Sequence, residues 1–229
     1  MKPHFTAIAD HALLVTFSDQ ISDQAHASVI ALDRAISAHP PKGFVETVPA
    51  LVNLLVTFNP AETDHIELES NLQSNLKRMV SQDIAGELRC VQVCYEAPFG
   101  KDLEAVASAT GLSVDAVITA HLNGRYDVLM YGFAPGYAYL SGVPERIQVP
   151  RKASAVRDVP AGSVIIAGPQ CLVTTLTMPT GWSIIGRSPT PIFTGDQDNP
   201  FLFDVGDSVA FERIDIATFD QLSKAHVYG

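Results

Sequence analysis

From Gly132 to Leu140 the chain reads Gly-Phe-Ala-Pro-Gly-Tyr-Ala-Tyr-Leu, and this run opens the stretch that decides the fold, residues 131–192. The stretch holds 7 of the 15 glycines and 8 of the 15 prolines. Both residue types favour turns and interrupt helices. From Tyr126 onward the helical periodicity disappears and short β-rich runs alternate with turns, which predicts an antiparallel β-barrel. The predicted strands are Asp127–Tyr131, Ser163–Ala167, Leu172–Thr177, Ser183–Ile185 and Asp207–Phe211.

The N-terminal part of the chain predicts a unit of strands and two helices. One helical pattern runs from Ser22 to Ser37, with Ser22 as the N-cap, and a second runs from about Glu62 to Val80. The strand candidates around them are Phe5–Ile8, Ala12–Phe17, Phe44–Val48 and Leu51–Phe58. The strand-like run Leu88–Tyr95 is expected to close a sheet with them, which makes the unit ferredoxin-like.

The predicted fold class is therefore α+β, with two domains. Residues 1–87 are expected to form the ferredoxin-like α/β domain, and residues 88–229 the barrel domain with a helical bridge before it. The bridge is a pair of predicted helices, Leu103–Thr110 and Ser113–His121. Asp102 and Ser113 are the residues expected to cap their N-termini.

Composition excludes several classes of protein. A chain of 229 residues with 47% hydrophobic content can bury a core, and a net charge of −10 disfavours binding to duplex nucleic acid. No run approaches the length of an apolar membrane span, and no signal-type hydrophobic segment precedes Asp10. We therefore expect a cytoplasmic protein that binds neither nucleic acid nor membrane.

The sequence lacks the common catalytic motifs. It contains no Gly-rich phosphate loop of either common type, and no Gly-x-Ser-x-Gly turn for a serine nucleophile. None of the seven histidines pairs with another ligand at zinc spacing, so no metal is expected. Catalytic residues cannot be assigned from these patterns, and any nucleotide is expected to be bound with or by another chain.

Charge and aromatic content instead indicate a binding pocket in residues 131–192. This stretch has five Lys or Arg residues and only two acids, and an arginine fork matches a carboxylate or a phosphate. The alternative is that these arginines cap turns and solvate loops. His121 is expected to face the same pocket and to titrate near neutrality, or else to complement its helix dipole. Trp182 is expected to form a wall of the pocket, or else to pack in the core. The candidate substrate-binding residues are Gly136, Tyr139, Arg151, Gln170, Arg187, His121 and Trp182.

At these residues the chain resembles a known family. The resemblance begins at Asp10-His11-Ala12-Leu13-Leu14 and continues through Phe99-Gly100-Lys101-Asp102-Leu103, His121, Gly132 to Leu140, Pro150-Arg151, Val159 to Ser163, Gly181-Trp182 and Gly186 to Pro189. The family contains the B-type subunit of 5-oxoprolinase, also called allophanate hydrolase subunit 1, and the sporulation-kinase inhibitor of Bacillus. The ordered series of motifs spans nearly the whole chain.

The resemblance implies a ferredoxin-like N-terminal domain and a cyclophilin-like C-terminal barrel. It further implies a chain that works with a homologous C-type subunit and a separate A-type subunit to open 5-oxoproline, or a related ureido or lactam compound, to its acid. ATP is hydrolysed in that reaction, and the partner subunits are expected to bind it or to help bind it. The alternatives are a protein-binding inhibitor of a sensor histidine kinase and, by fold analogy alone, a prolyl isomerase.

The chain departs from the family pattern at several positions, among them Thr174-Thr175-Leu176 in place of a Tyr-Pro. Ala155 and Val156 replace a second Pro-Arg, Pro169 replaces the middle glycine of Gly-Gly-Gln, and Thr180 replaces a glycine before Gly181-Trp182. The loss of one arginine from a pocket weakens the binding of an anion, because the buried anion then lacks a hydrogen-bond partner. The natural substrate and the retention of activity are therefore left open by the sequence.

Overall fold

Four strands form the sheet of the N-terminal unit, and the buried side chains lie on its two central strands. They are β1 (His4–Ile8), β2 (Ala12–Thr16), β3 (Phe44–Pro49) and β4 (Asn53–Phe58). All pairs are antiparallel and the strand order is β1-β2-β4-β3. Two helices, α1 (Asp23–Ala38) and α2 (His65–Arg78), cover one face of this sheet. Their apolar side chains, among them Val29, Leu32, Leu68 and Leu72, form one core with the strands.

The computed structural model describes residues 2–78 and 86–225, and the chain divides into two compact units, residues 1–85 and 86–229. The predicted first helix is confirmed, and the Ser22 hydroxyl accepts from the Ala25 N–H at 3.2 Å as an N-cap. The second begins at His65 rather than near Glu62, because the Asp64 carboxylate accepts from the Glu67 N–H. The predicted end of this helix, Val80, lies outside the described residues.

The strand expected to close the N-terminal sheet belongs to the other unit. Residues Leu88–Cys94 form β5, which pairs with two strands of the barrel. The sheet position beside β2 is taken instead by β1, from the start of the chain. The prediction that Leu88–Tyr95 joins the N-terminal sheet is therefore wrong, and the ferredoxin-like arrangement is not confirmed.

The C-terminal unit is built on a closed barrel. After β5 come two helices, α3 (Leu103–Thr110) and α4 (Val114–Leu122), and a last helix, α5 (Ile216–Ala225), ends the described chain. The remaining strands are β6 (Tyr126–Tyr131), β7 (Ala138–Leu140), β8 (Val156–Val159), β9 (Ser163–Ala167), β10 (Gln170–Val173), β11 (Met178–Thr180), β12 (Ser183–Arg187) and β13 (Ser208–Ile214). Seven strands close in the order β10-β7-β6-β13-β5-β12-β9, while β8 and β11 pair separately as a ribbon.

The predicted barrel is confirmed, but the expectation that it is antiparallel throughout is wrong. Strands β13 and β5 run parallel over seven residue pairs, from Ser208 opposite Leu88 to Ile214 opposite Cys94. A parallel pair requires a long crossover, and here the other barrel strands lie between its members in the chain. Periodicity within each run identified both strands without revealing this pairing.

The barrel strands bury side chains on both faces. Inward residues such as Val164, Ile166 and Ile185 pack with α3 and α4 in the barrel core. Outward residues such as Ile165 and Ile184 lie in a second cluster with Val159 of β8 and Met178 of β11. The ribbon therefore covers the outer face, which explains why all five residues of β9 are buried.

Helix α5 was not expected, since the sequence was interpreted as non-helical after Tyr126. The side chain of Asp215 accepts from the Thr218 N–H at 2.8 Å, as an N-cap does. Ile216, Phe219 and Leu222 recur at helical spacing behind it. Among the described residues no single helix is long and apolar enough to cross a membrane; α3 and α4 reach that composition only together, as a pair bent by 95°.

Candidate functional site

Four aromatic rings follow one another along the outer face of the barrel unit. The ring centroids are 5.3 Å apart for Phe133 and Tyr137, 6.0 Å for Tyr137 and Tyr139, and 6.0 Å for Tyr139 and Trp182. The guanidinium carbon of Arg151 lies 5.4 Å from the Trp182 ring centroid. We call these four rings and Arg151 the aromatic row. Such spacings are those of edge-to-face ring pairs and of a cation–π contact.

The strands and one backbone hydrogen bond place these side chains together. Tyr139 lies in β7 and Tyr137 directly precedes this strand, and their rings are in contact. The Lys152 N–H donates to the Gly181 carbonyl at 2.7 Å, which sets Arg151 beside Trp182. Of the seven sequence-predicted site residues, the structure thus brings together Tyr139, Arg151 and Trp182.

The aromatic row is exposed at both ends, Phe133 and Arg151, and mostly buried between them. Phe133 is 73% exposed and has a φ of 72°, which is uncommon for a residue with a side chain. Tyr137 and Trp182 are almost completely buried, and burial raises the pKa of Tyr137 to about 12. An exposed aromatic residue with a strained backbone is a common property of binding sites. Sequence reasoning did not single out Phe133, whose unusual φ has no signature in residue type.

Arg151 is available to bind an anion. Its side chain is exposed, and within the described ranges 2–78 and 86–225 it is in none of the ion pairs. The Trp182 ring holds one side of the guanidinium, which leaves the N–H groups at its edge free for a carboxylate. This arrangement suits a planar ligand that carries a carboxylate group.

Arg187 has a different set of contacts. Its Nε donates to the Ala161 carbonyl at 3.1 Å, and its guanidinium carbon lies 5.7 Å from the ring centroids of Phe99 and of Phe219. It shares no contacted residue with Arg151 in these interactions. The structure therefore does not bring Arg187 into the aromatic row, and its contacts are those of a residue that fixes α5 against the barrel.

Gln170 begins β10 and is half-buried. By strand alternation it lies on the same face as Leu172, which is part of the outer cluster. The residue before it, Pro169, accepts at its carbonyl from the Val143 N–H at 3.2 Å, so the turn accommodates this departure from the family pattern. A ligand-binding role for Gln170 remains a prediction.

Thr180, which also departs from the family pattern, contacts the backbone of Trp182 in the aromatic row. Its hydroxyl accepts from the Trp182 N–H at 3.1 Å and the residue is buried. Val156 pairs with Thr180 across the ribbon, and Ala155 is the exposed residue directly before β8. The departures Thr180 and Val156 therefore lie in the ribbon that supports Trp182.

His121 lies in the barrel core and not in the aromatic row. It is fully buried, with the Tyr95 hydroxyl 2.8 Å from Nδ1 and the Cys171 Sγ 3.6 Å from Nε2. Burial lowers the pKa of His121 from 6.5 to about 3. The expectation that it titrates near neutrality is therefore wrong, and as a neutral ring it does not complement the helix dipole by charge.

Gly136 occupies a backbone position that requires glycine. Its φ is +71°, and a Cβ atom there would lie 3.2 Å from the Phe201 ring and 3.3 Å from side-chain atoms of Ile192 and Thr175. The tight turn brings residues 132–137 back toward the chain around residue 192. The atoms that approach Gly136 closely are protein side chains. Contact of this glycine with a ligand remains a prediction.

Gly136→Ala is expected to lower the free energy of unfolding by about 1–2 kcal/mol, because a left-handed conformation disfavours any Cβ. Gly132→Ala is the matched control in the same run, since its Cβ would meet only the Tyr139 ring at an ordinary 3.5 Å. Urea unfolding of the two variants measures the difference. Equal stability of the two would contradict the assigned backbone conformation.

Asp102 has a role other than the predicted one. It precedes α3 but makes no side-chain cap. Its Oδ2 instead accepts from the Ile184 N–H at 2.6 Å and from the Lys152 Nζ at 2.5 Å. Lys152 was not among the predicted site residues, and nothing local in the sequence indicates its pairing with a residue 50 positions away. Among the described residues, no three His, Cys, Asp or Glu side chains are arranged to hold a metal ion.

Comparison with known proteins gives the family. A family model described as carboxyltransferase domain, subdomain C and D, matches residues 3–203. The chain is 38% identical over 219 residues to the 5-oxoprolinase B-type subunit of Bacillus subtilis, a match that covers 90% of this chain and 91% of that protein. The chain belongs to the family of 5-oxoprolinase B-type subunits. The resemblance found in the sequence motifs is confirmed.

Two further relatives in this family bear the same name. The protein of Escherichia coli O157:H7 is 35% identical, covering 73% of this chain and 77% of its own, and that of Haemophilus influenzae is 31% identical, covering 89% and 94%. Each match includes most of both chains. The sequence similarity thus extends over both the N-terminal unit and the barrel unit, and the family assignment does not depend on a single motif.

Solved structures share the fold. The crystal structure of TTHA0988 has a TM-score of 0.80 and 30% identity, and the match covers 90% of this chain but 40% of that one. The urea amidolyase of Kluyveromyces lactis has a TM-score of 0.77 at 14% identity, covering 97% of this chain and 15% of that one. At that identity the second likeness shows the fold alone. In both larger proteins the fold seen here is one part of a longer chain.

Proposed function

We propose that this chain is the B-type subunit of a 5-oxoprolinase-like complex, which opens the cyclic amide of 5-oxoproline to give glutamate. The observation that carries the proposal is the 38% identity to a protein named as the B-type subunit of 5-oxoprolinase, over nine-tenths of both chains. The name of that relative implies further subunits. We assign the partners as a homologous C-type barrel subunit and a separate A-type subunit.

The aromatic row supplies a site for such a substrate. 5-Oxoproline is a five-membered lactam with one carboxylate, so a bidentate pair with Arg151 would hold its charge. The half-buried ring of Tyr139 would lie against its flat apolar side, while the buried ring of Trp182 would support the guanidinium. The chain's own contribution is binding and orientation, which lower the barrier by fixing the amide relative to groups on the partner subunits.

ATP is proposed to bind with or on the partner subunits, where its hydrolysis would drive the opening of the amide. The sequence has neither of the common phosphate-binding loops. Arg151 is the cation in the aromatic row, and we assign it to the substrate carboxylate and not to the nucleotide. In this proposal, this chain binds the substrate and the partner subunits bind ATP, in keeping with a name that implies several subunits.

The test is reconstitution from purified chains. Glutamate formation and ATP hydrolysis are measured with 5-oxoproline for this chain alone, for the A-type and C-type partners together, and for all three. We expect turnover only from the complete set. A verified three-chain assembly that forms no glutamate from 5-oxoproline overturns the proposal, and capture of a sensor kinase in place of a barrel partner would favour the inhibitor alternative.

A further inference from the structure

A partly buried ion pair joins Asp102 to Lys152, the residue that follows Arg151 of the aromatic row. The Lys152 Nζ is 2.5 Å from the Asp102 Oδ2, and the two side chains are 22% and 20% exposed. The same carboxylate oxygen accepts from the Ile184 N–H, while the Asp102 N–H donates to the Ile184 carbonyl at 2.9 Å. Charge-assisted hydrogen bonds of limited exposure are stronger and more geometrically selective than surface pairs.

These bonds join three segments that are distant in the chain. Asp102 stands at the start of α3, Ile184 lies in β12, and Lys152 lies in the irregular segment between Pro150 and β8. The residue next to Lys152 is Arg151, and the residue that receives the Lys152 N–H is Gly181, next to Trp182. Through its backbone and its side chain, Lys152 thus fixes the segment that carries the cation of the row.

The Lys152–Asp102 pair adds to two contacts that hold Arg151 in place, the Lys152–Gly181 backbone bond and the packing of Arg151 on Trp182. The segment of residues 150–155 has no regular secondary structure, and the side chain of Arg151 is itself exposed. An arginine on an irregular segment loses conformational entropy when it binds a ligand, and this loss lowers affinity. A neighbour that fixes the backbone in advance removes part of that loss.

We propose that Lys152 and Asp102 form a positioning pair that holds Arg151 over Trp182 and so sets the affinity of the row for a carboxylate ligand. The proposal deepens the proposed function, on which the carboxylate assignment rests. Neither residue contacts the ligand in this account. Their effect is transmitted through the Lys152–Gly181 backbone bond and the Asp102–Ile184 contacts.

The fluorescence of Trp182 tests the positioning without any assumption about activity. Trp182 is the only tryptophan of the chain and is 6% exposed, so its emission and its quenching by acrylamide report on this contact. The full chain is compared with Lys152→Met, Asp102→Asn and the double variant. Lys101→Met is the matched control, because Lys101 is the exposed lysine next to Asp102.

We expect red-shifted emission and faster quenching in both single variants, with the double variant no worse than either, since the residues act as one unit. Lys152→Arg, which keeps the charge, should restore the wild-type signal in part, and Lys101→Met should leave it unchanged. Circular dichroism verifies folding. Should Lys152→Met fail to fold, Lys152→Gln takes its place, and unchanged Trp182 quenching in a folded variant overturns the proposal.

The reconstituted complex provides the second readout. Lys152→Met is expected to raise the KM for 5-oxoproline about tenfold, because Arg151 then loses more conformational entropy when the substrate binds, with kcat little changed. A fall in kcat at constant KM would contradict a positioning role. If the wild-type complex forms no glutamate, the proposed function fails, while the Trp182 measurement still decides whether the pair positions Arg151.

Discussion

The free energy of unfolding of the barrel unit is expected to fall by about 2 kcal/mol between pH 7 and pH 5 through His121 alone. In the folded chain, burial lowers the pKa of His121 to about 3, against an ordinary value of 6.5. Between these values the unfolded chain binds a proton that the folded chain does not. Stability therefore decreases as the pH falls through this range, by about 1.4 kcal/mol per pH unit.

The measurement is urea unfolding of wild-type and His121→Gln chains at pH 7 and pH 5. Glutamine has no charge to gain, and its amide can pair with the Tyr95 hydroxyl, which lies 2.8 Å from Nδ1 in the wild type. Trp182 fluorescence follows the barrel unit specifically, because the other unit has no tryptophan. His4→Gln, at an exposed position, is the control. The same pH dependence in wild type and His121→Gln would contradict a buried neutral histidine.

Arg151→Met is expected to raise the KM of the reconstituted complex for 5-oxoproline by about ten- to a hundredfold, the effect of losing a charged hydrogen-bond partner worth about 1.5–3 kcal/mol. The turnover number should change little, because the carboxylate is bound equally in the ground state and the transition state. Arg146→Met is the matched control, since Arg146 is an exposed arginine of the same unit outside the aromatic row.

Arg187→Met makes the contrast between the two predicted anion-binding arginines testable. It should destabilise the barrel unit by removing the contacts with Ala161, Phe99 and Phe219, while leaving the KM of the folded enzyme near the wild-type value. An unchanged KM in Arg151→Met, with an active complex, would contradict the assignment of Arg151 to the substrate carboxylate. A KM raised by Arg187→Met would show that a second cation is needed.

Local signals in the sequence predicted the elements that local physics controls. The caps at Ser22 and Ser113 both accept the expected backbone N–H, because cap preference depends on a few neighbouring residues. The partners of β5 were not predictable in this way. Whether that strand joins one sheet or another depends on contacts with β12 and β13, far along the chain, and strand periodicity carries no information about them.

The candidate site shows the same division. Residue type identified Tyr139, Arg151 and Trp182 as capable of binding, and the fold placed them in contact. Residue type could not separate Arg151 from Arg187, because what differs is whether other side chains already occupy the guanidinium. Nor could it show that the barrel strands would enclose His121 completely.

The parallel pair of β5 and β13 has a consequence for biosynthesis. The Glu87 N–H and the Asp207 carboxylate, 120 positions apart, are hydrogen bonded where this seam begins. Until the ribosome has released β13, a nascent chain carries β5 and β6 with free edges and an open sheet that can pair with other chains. A truncation before Ser208 would leave that sheet permanently open, so chaperone dependence and aggregation of such fragments are the expected cost of closing the barrel last.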